Sequence, residues 1–213
     1  MIYMNDMRYF IILTVILFLC TPAMGGNDAQ EKQPPSVKKV EDYLRDLGTA
    51  QARFLQTASD GSQYLGTFYL NRPGKLRFEY DEPVDDFVVA DGYFIYFYDS
   101  ELGEQSNAPI GQTLADFILR PDLKLSGDIA VQNVNRNDGL LQVTLAQAED
   151  PGAGSLTLGF DENPFALRKW RIIDPQGATT EIELFELQTD IDLDRNLFAY
   201  HDPKENKPFH FND

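Results

Sequence analysis

The run Tyr64-Leu65-Gly66-Thr67-Phe68-Tyr69-Leu70-Asn71-Arg72-Pro73-Gly74-Lys75-Leu76-Arg77-Phe78-Glu79-Tyr80, continuing to Tyr98 and Asp99, decides the fold class. It divides into four strand-like segments, each ended by a turn signal. Leu76, Phe78 and Tyr80 alternate with Lys75, Arg77 and Glu79, the period of two that marks a half-buried strand. Asp91-Gly92 separates Phe87-Val88-Val89-Ala90 from Tyr93-Phe94-Ile95-Tyr96-Phe97-Tyr98. A two-residue link of this kind favours a type I′ hairpin, in which both central residues take positive φ. Some of these strands are apolar on both faces. Phe94, Tyr96 and Tyr98 stand opposite Tyr93, Ile95 and Phe97. An antiparallel strand with one wet face is polar on that face, so these strands need cover on both sides. Two arrangements provide it: a second packed layer, or a cavity lined by one side of a curved sheet.

The same pattern extends in both directions. Arg53 to Thr57 begins the sheet, and Asp60-Gly61 supplies a turn. Beyond Gly127, Ile129 and Val131 alternate with polar partners. Asp138-Gly139 links them to Leu141, Val143 and Leu145. Leu156, Leu158 and Phe160 follow, then Leu167 to Ile173 with Trp170 and Ile172 on one face. The strand from Thr180 to Leu187 comes after the turn Asp174-Pro175-Gln176-Gly177. Leu197 to Tyr200 reads as one more short strand, and residues 99 to 111 read as a polar loop. About ten short antiparallel strands at this spacing predict a barrel or a strongly curved sheet.

Two segments break the strand pattern. Ser36 is placed to cap a short helix whose apolar stripe is Val37, Val40, Leu44 and Leu47, with Gly48 as a stop and weak helix propensity continuing to Ala52. Thr113-Leu114-Ala115-Asp116 has the form of a capping box opening a helix through Phe117, Ile118 and Leu119. Two helices this small cannot cover such a sheet. They can lie across one open face as a lid.

The chain has 213 residues and a formal net charge of -16. Its length suits one domain. Arg8 precedes the apolar run Tyr9 to Cys20, which is short for a bilayer, and Ala23 and Gly25 suit a small-residue cleavage site. Residues 1–25 therefore read as a secretory signal peptide, with an uncleaved anchor as the alternative. Residues 26–35 read as a flexible leader, 36–203 as the folded domain and 204–213 as a polar tail. Cys20 is the only cysteine, and Leu19 before it is too large for a lipid-attachment site. Cleavage near Gly25 leaves an exported chain without thiol chemistry or disulfides. Its acidity disfavours nucleic acid and anionic lipid surfaces.

The ordered set Arg53-Phe54-x-Gln56, Gly66-x-Phe68-x-Leu70-x-Arg72-Pro73, Phe78-x-Tyr80-x-x-Pro83, Asp91-Gly92 and Tyr96-x-Tyr98-Asp99 resembles the LolA family of periplasmic outer-membrane lipoprotein carriers. Trp170-x-Ile172-x-Asp174-x-x-Gly177 and Phe198-x-Tyr200-x-x-Pro203 fit the same pattern. The resemblance spans about residues 36 to 203. It implies a mainly β fold, an incomplete antiparallel β-barrel with a helical lid over an apolar cavity for acyl chains. It also implies a monomer that accepts lipoproteins from an inner-membrane ABC transporter of the LolCDE type and passes them to an outer-membrane acceptor of the LolB type. Arg72 falls on the family's Arg-Pro position, where the arginine holds the lid by hydrogen bonds to its backbone. The expected cavity residues are Phe68, Leu76, Phe78, Phe94, Tyr96 and Trp170; the lid residues are Val40, Leu44, Leu47, Leu114, Phe117 and Ile118. The family's Pro after the lid-opening Thr is replaced here by Leu114. Two other readings share the fold: a carrier of free lipid or glycolipid, and a LolB-like acceptor, which would need an acylated cysteine.

An enzyme is not expected, and neither a cofactor nor a metal is. The two histidines, His201 and His210, lie beyond the last expected strand. Asp190-Ile191-Asp192-Leu193-Asp194 begins like a calcium loop, but Arg195 stands where Gly is needed and His201 where Glu is needed. Asp81, Glu82, Asp85 and Asp86 flank Pro83 in a turn, where solvated carboxylates are ordinary. Nucleophile elbows, phosphate loops and zinc motifs are absent from the sequence.

Overall fold

A computed structural model describes residues 33–203. The expected signal peptide, the leader up to residue 32 and the tail from residue 204 lie outside the described residues. One antiparallel sheet holds eleven strands: β1 (Thr49–Thr57), β2 (Gln63–Asn71), β3 (Lys75–Tyr80), β4 (Phe87–Asp91), β5 (Phe94–Asp99), β6 (Glu104–Pro109), β7 (Ile129–Asn137), β8 (Leu140–Gln147), β9 (Ser155–Glu162), β10 (Phe165–Ile173) and β11 (Thr179–Thr189). Their order is β6-β5-β4-β3-β2-β1-β11-β10-β9-β8-β7. Two meanders meet where β1 pairs with β11, and β6 and β7 are the two free edges. The result is a curved, open sheet of mainly β class, as the strand count and turn spacing predict.

Alternation sets the faces. Ala50, Ala52 and Phe54 of β1, Phe68 and Leu70 of β2, and Leu76 and Phe78 of β3 all turn inward and are buried. Phe160, Leu158, Leu145, Leu184 and Trp170 complete the inner face from the other meander. Gly66 lets the sheet curl there. A Cβ at this position would sit 2.2 Å from the Glu79 carbonyl and 2.5 Å from the Phe54 ring.

Helix α1 (Pro35–Asp46) buries Val37, Val40 and Leu44 against this face, and Leu47 follows at 7 % exposure. Its first turn is uncapped by any side chain, because Pro35 occupies the start and Pro34, not Ser36, is the cap. The chain then passes directly into β1 at Thr49, so the expected helical continuation to Ala52 is strand instead. Tyr43 fixes the helix across the sheet. Its ring meets Phe160 and Phe165 edge-on at 5.5 Å, and its hydroxyl accepts from the Leu167 amide at 3.1 Å.

Helix α2 (Asp116–Leu119) is a single turn, preceded by a 3₁₀ turn at Ile110–Gln112. The Thr113 capping box does not form: the Thr113 hydroxyl donates back to the Ile110 carbonyl at 2.9 Å, and Ala115 is the helix cap. The region read as a loop after Asp99 contains edge strand β6. Its first four residues, Glu104 to Asn107, are exposed, so it lacks the apolar alternation that reveals a strand.

Leu197 to Tyr200 is likewise not a strand. Arg195–Phe198 forms a 3₁₀ turn, capped by Asp194. This segment lies over the outer face of the sheet. Phe198 is 2 % exposed and Val89 of β4 is fully buried. Tyr200 stacks on Tyr96 of β5 at 4.4 Å with planes 8° apart. The two-faced apolar strands therefore have two different covers: an inner face with lid and cavity, and an outer face crossed by the C-terminal segment.

Candidate functional site: a lidded apolar cavity

Between the sheet and the 110–118 segment lies a cavity of about 260 Å³. Phe68, Leu76, Phe78 and Trp170 line it from the sheet. Phe68 and Phe78 lie 4.9 Å apart and pack against Trp170 at 5.4 and 6.0 Å. Val88, Ile95, Phe97, Leu156, Ile172 and Ile182 add to the wall, and Leu114, Ala115 and Ile118 close it from above. Phe117 is buried beside them without reaching the cavity, and Val40, Leu44 and Leu47 belong to the packing under α1.

The assignment of β5 requires correction. Phe94 and Tyr96 do not line the cavity. Phe94 is 40 % exposed, and Tyr96 is on the outer face under Tyr200; the inward residues are Ile95 and Phe97. The reason is the period-two ambiguity of a strand apolar on both sides, where a slip of one residue exchanges the faces. Sequence reasoning also missed Gln56 and Tyr80 in the wall. Alternation from Phe54 and Phe78 points to both.

A second, wider chamber of about 600 Å³ adjoins the first. Both share Gln56, Tyr80, Val88, Phe97, Ile172, Asp174 and Thr180. Asp60, Asp86, Asp99, Glu104 and Asp174 line the wider chamber, with no Lys or Arg among the described lining residues. The smaller chamber is thus lined mainly by apolar side chains, and the larger carries four carboxylates besides the shared Asp174. Burial and the nearby Asp86 carboxylate push the Tyr80 hydroxyl's titration well above the ordinary tyrosine range, so it stays a neutral donor to Gln56 Oε1 at 2.8 Å.

Arg72 sits in the turn after β2. Its guanidinium donates to the Leu44 carbonyl near the end of α1, and to the Arg120 carbonyl after α2 at 2.8 Å. The main chain of the same turn makes two parallel bonds, from the Arg72 amide to Gly48 and from the Gly74 amide to Leu119. A second tie runs from α1 to the chain beyond α2, the Leu125 amide donating to Glu41 at 2.8 Å. Among the described residues Arg72 pairs with no carboxylate, and its buried Nε lacks a partner. Burial lowers its pKa; a guanidinium nonetheless stays charged. The cation is therefore held by carbonyl dipoles alone. Arg120 differs: its own guanidinium is neutralised by Asp116 and Asp128.

The sequence matches the family model for the outer membrane lipoprotein carrier protein LolA over residues 45–201. The chain belongs to the LolA family. An outer-membrane lipoprotein carrier protein of Methylococcus capsulatus is 28 % identical to it over 212 residues, covering 94 % of this chain and 96 % of that one. One of the same description from Methylobacillus flagellatus is 25 % identical over 206 residues, covering 91 % and 95 %. Family membership and the lidded cavity agree on an architecture suited to enclosing a ligand.

Proposed function

We propose that this LolA-family chain is a periplasmic carrier for outer-membrane-directed lipoproteins, enclosing their acyl chains during transit. Each methylene left in water costs about 0.8 kcal/mol, so a di- or triacyl anchor cannot cross an aqueous compartment without an apolar shelter. The observation that carries the reading is Arg72 bridging both lid segments over a cavity walled by Phe68, Phe78 and Trp170. The names of the relatives support the cargo class. In this reading the conformation with Arg72 bonded to both lid segments is the closed one, and loading requires the lid to move.

In this reading Arg72 is the latch. Each charge-assisted bond contributes about 1.5–3 kcal/mol, offset by the burial of an unpaired cation. Such a latch closes an empty carrier and yields when acyl chains enter. The donor is an inner-membrane ABC transporter complex of the LolCDE type, the acceptor an outer-membrane protein of the LolB type, and export depends on residues 1–25 acting as a signal peptide. No enzymatic activity is part of this reading.

The test uses spheroplasts carrying a labelled outer-membrane-directed lipoprotein. Adding the purified exported chain and energising the transporter should move lipoprotein into the soluble fraction as a one-to-one complex. Absence of release, with free phospholipid or glycolipid recovered on the protein by native mass spectrometry, would replace the lipoprotein by a free-lipid cargo.

A further inference from the structure

Gln56 is a polar side chain where an apolar one would suit the wall better. It lies on β1, 5 % exposed, next in the inward row after Phe54, and it borders both chambers. Its single hydrogen bond among the described residues is the one Oε1 accepts from Tyr80. Its amide nitrogen has no partner there. That nitrogen is not sealed inside the protein and keeps access to the chamber space, so a ligand there can reach it. Tyr80 holds one end of the carboxamide, so the other end presents its donors at the boundary between the apolar chamber and the acidic one. That is the level at which a ligand with its hydrocarbon in the narrow chamber and its head in the wide one places its polar linkage.

We infer that Gln56 is a ligand-reading residue that donates to the carbonyl of the linkage joining acyl chain to head. The inference rests on the acyl-carrier reading above and adds a chemical class to it: ligands with ester- or amide-linked chains, distinguished from those with ether-linked chains. Tyr80 acts through Gln56, fixing the orientation of the carboxamide and leaving its donors free. The hydrocarbon contributes the bulk of the affinity, and Gln56 sets the depth to which the chains enter.

The experiment measures binding of two synthetic lysine-bearing lipopeptides to the purified exported chain, by titration calorimetry in the same dilute detergent. One carries two palmitoyl esters; the other carries two hexadecyl ethers on the same peptide. The native chain should bind the ester about five- to tenfold more tightly, the size of one buried neutral hydrogen bond. Gln56→Leu should bind both probes equally, near the native affinity for the ether. Should Gln56→Leu fail to fold, Gln56→Met, of similar length, carries the same comparison. A native chain that binds both probes equally overturns the inference while leaving the carrier reading intact. So does a Gln56 variant that keeps the ester preference. Failure of the native chain to bind either probe overturns the carrier reading and this inference with it.

Discussion

Arg72 donates to the carbonyl oxygen of Arg120 at 2.8 Å, across 48 positions of sequence. Two arginines thus meet with one guanidinium facing the other's main chain, and of the two only Arg120 pairs with carboxylates among the described residues. The Arg72 contact joins the β2–β3 turn to the lid, and its other donor reaches α1. Replacing Arg72 by Leu removes these bonds together with the cost of a buried, partly unsatisfied cation. Arg72→Leu should therefore fold, with its stability changed by less than about 2 kcal/mol, and should bind acyl chains. Transfer to an acceptor should fall several-fold, because the returning latch no longer helps to expel them. Urea denaturation beside a transfer assay checks both halves; transfer at the native rate would remove Arg72 from the mechanism.

Gly66 is where the sheet leaves no room. The Glu79 carbonyl that a Cβ would strike belongs to the paired strand β3, and the Phe54 ring beside it is fully buried. Gly66→Ala should cost about 1–3 kcal/mol, read as a lower denaturation midpoint with unchanged slope. A midpoint equal to the native one would show that the strands separate without penalty.

The C-terminal segment is a structural cover for the outer face. Phe198→Ala should lower stability by about 3–5 kcal/mol, as removal of a buried aromatic does. Acyl-chain binding per folded molecule should stay unchanged, since Phe198 does not line either chamber. Loss of binding in a variant that remains folded would mean that the two faces are coupled.

These three regions differ in how readable they are from sequence. The strands β2 to β5 announce themselves through Leu76, Phe78 and Tyr80 and the turns between them, so the fold class is legible. Asp138-Gly139 behaves as a two-residue Asp-Gly link should, with φ of 52° and 77°. Asp91-Gly92 does not: only Gly92 has positive φ, and the Asp91 carboxylate instead accepts from the Tyr93 and Phe94 amides. Phe94 and Tyr96 mislead because the outer face is also apolar, and nothing local says that Tyr200, a hundred residues on, covers it. Edge strand β6 is hidden by its polar composition, which its exposed position permits. Gln56 is visible in the alternation, but only the placement of Tyr80 reveals that one end of its amide is committed.

Acid should weaken the outer surface in a defined way. Arg53 donates to Asp81 at 2.9 Å and to the Thr67 hydroxyl at 2.9 Å. The Arg53 hydrogen bonds hold the Asp81 carboxyl below its usual range. A depressed carboxylate stabilises the fold at pH values above the unfolded pKa of about 3.9, and that contribution fades as pH falls through the lower folded value. The pair is solvent-exposed, so its size is about 1 kcal/mol or less. Native chain and Arg53→Gln should differ in stability at pH 7 and converge as the pH falls through the lowered folded value of Asp81. A difference that persists at pH 2 would assign it to packing of the arginine instead.

Trp170 gives the most direct access to the central claim. It is the only tryptophan in the chain, and it lines the narrow chamber between Phe68 and Phe78. A diacyl lipopeptide with bromine on its acyl chains quenches an indole only when the chains reach it. Titration into the purified protein should quench Trp170 fluorescence saturably at one lipopeptide per protein, and excess unbrominated lipopeptide should restore it. Binding without quenching would place the acyl chains elsewhere on the molecule and contradict the lidded cavity as their site.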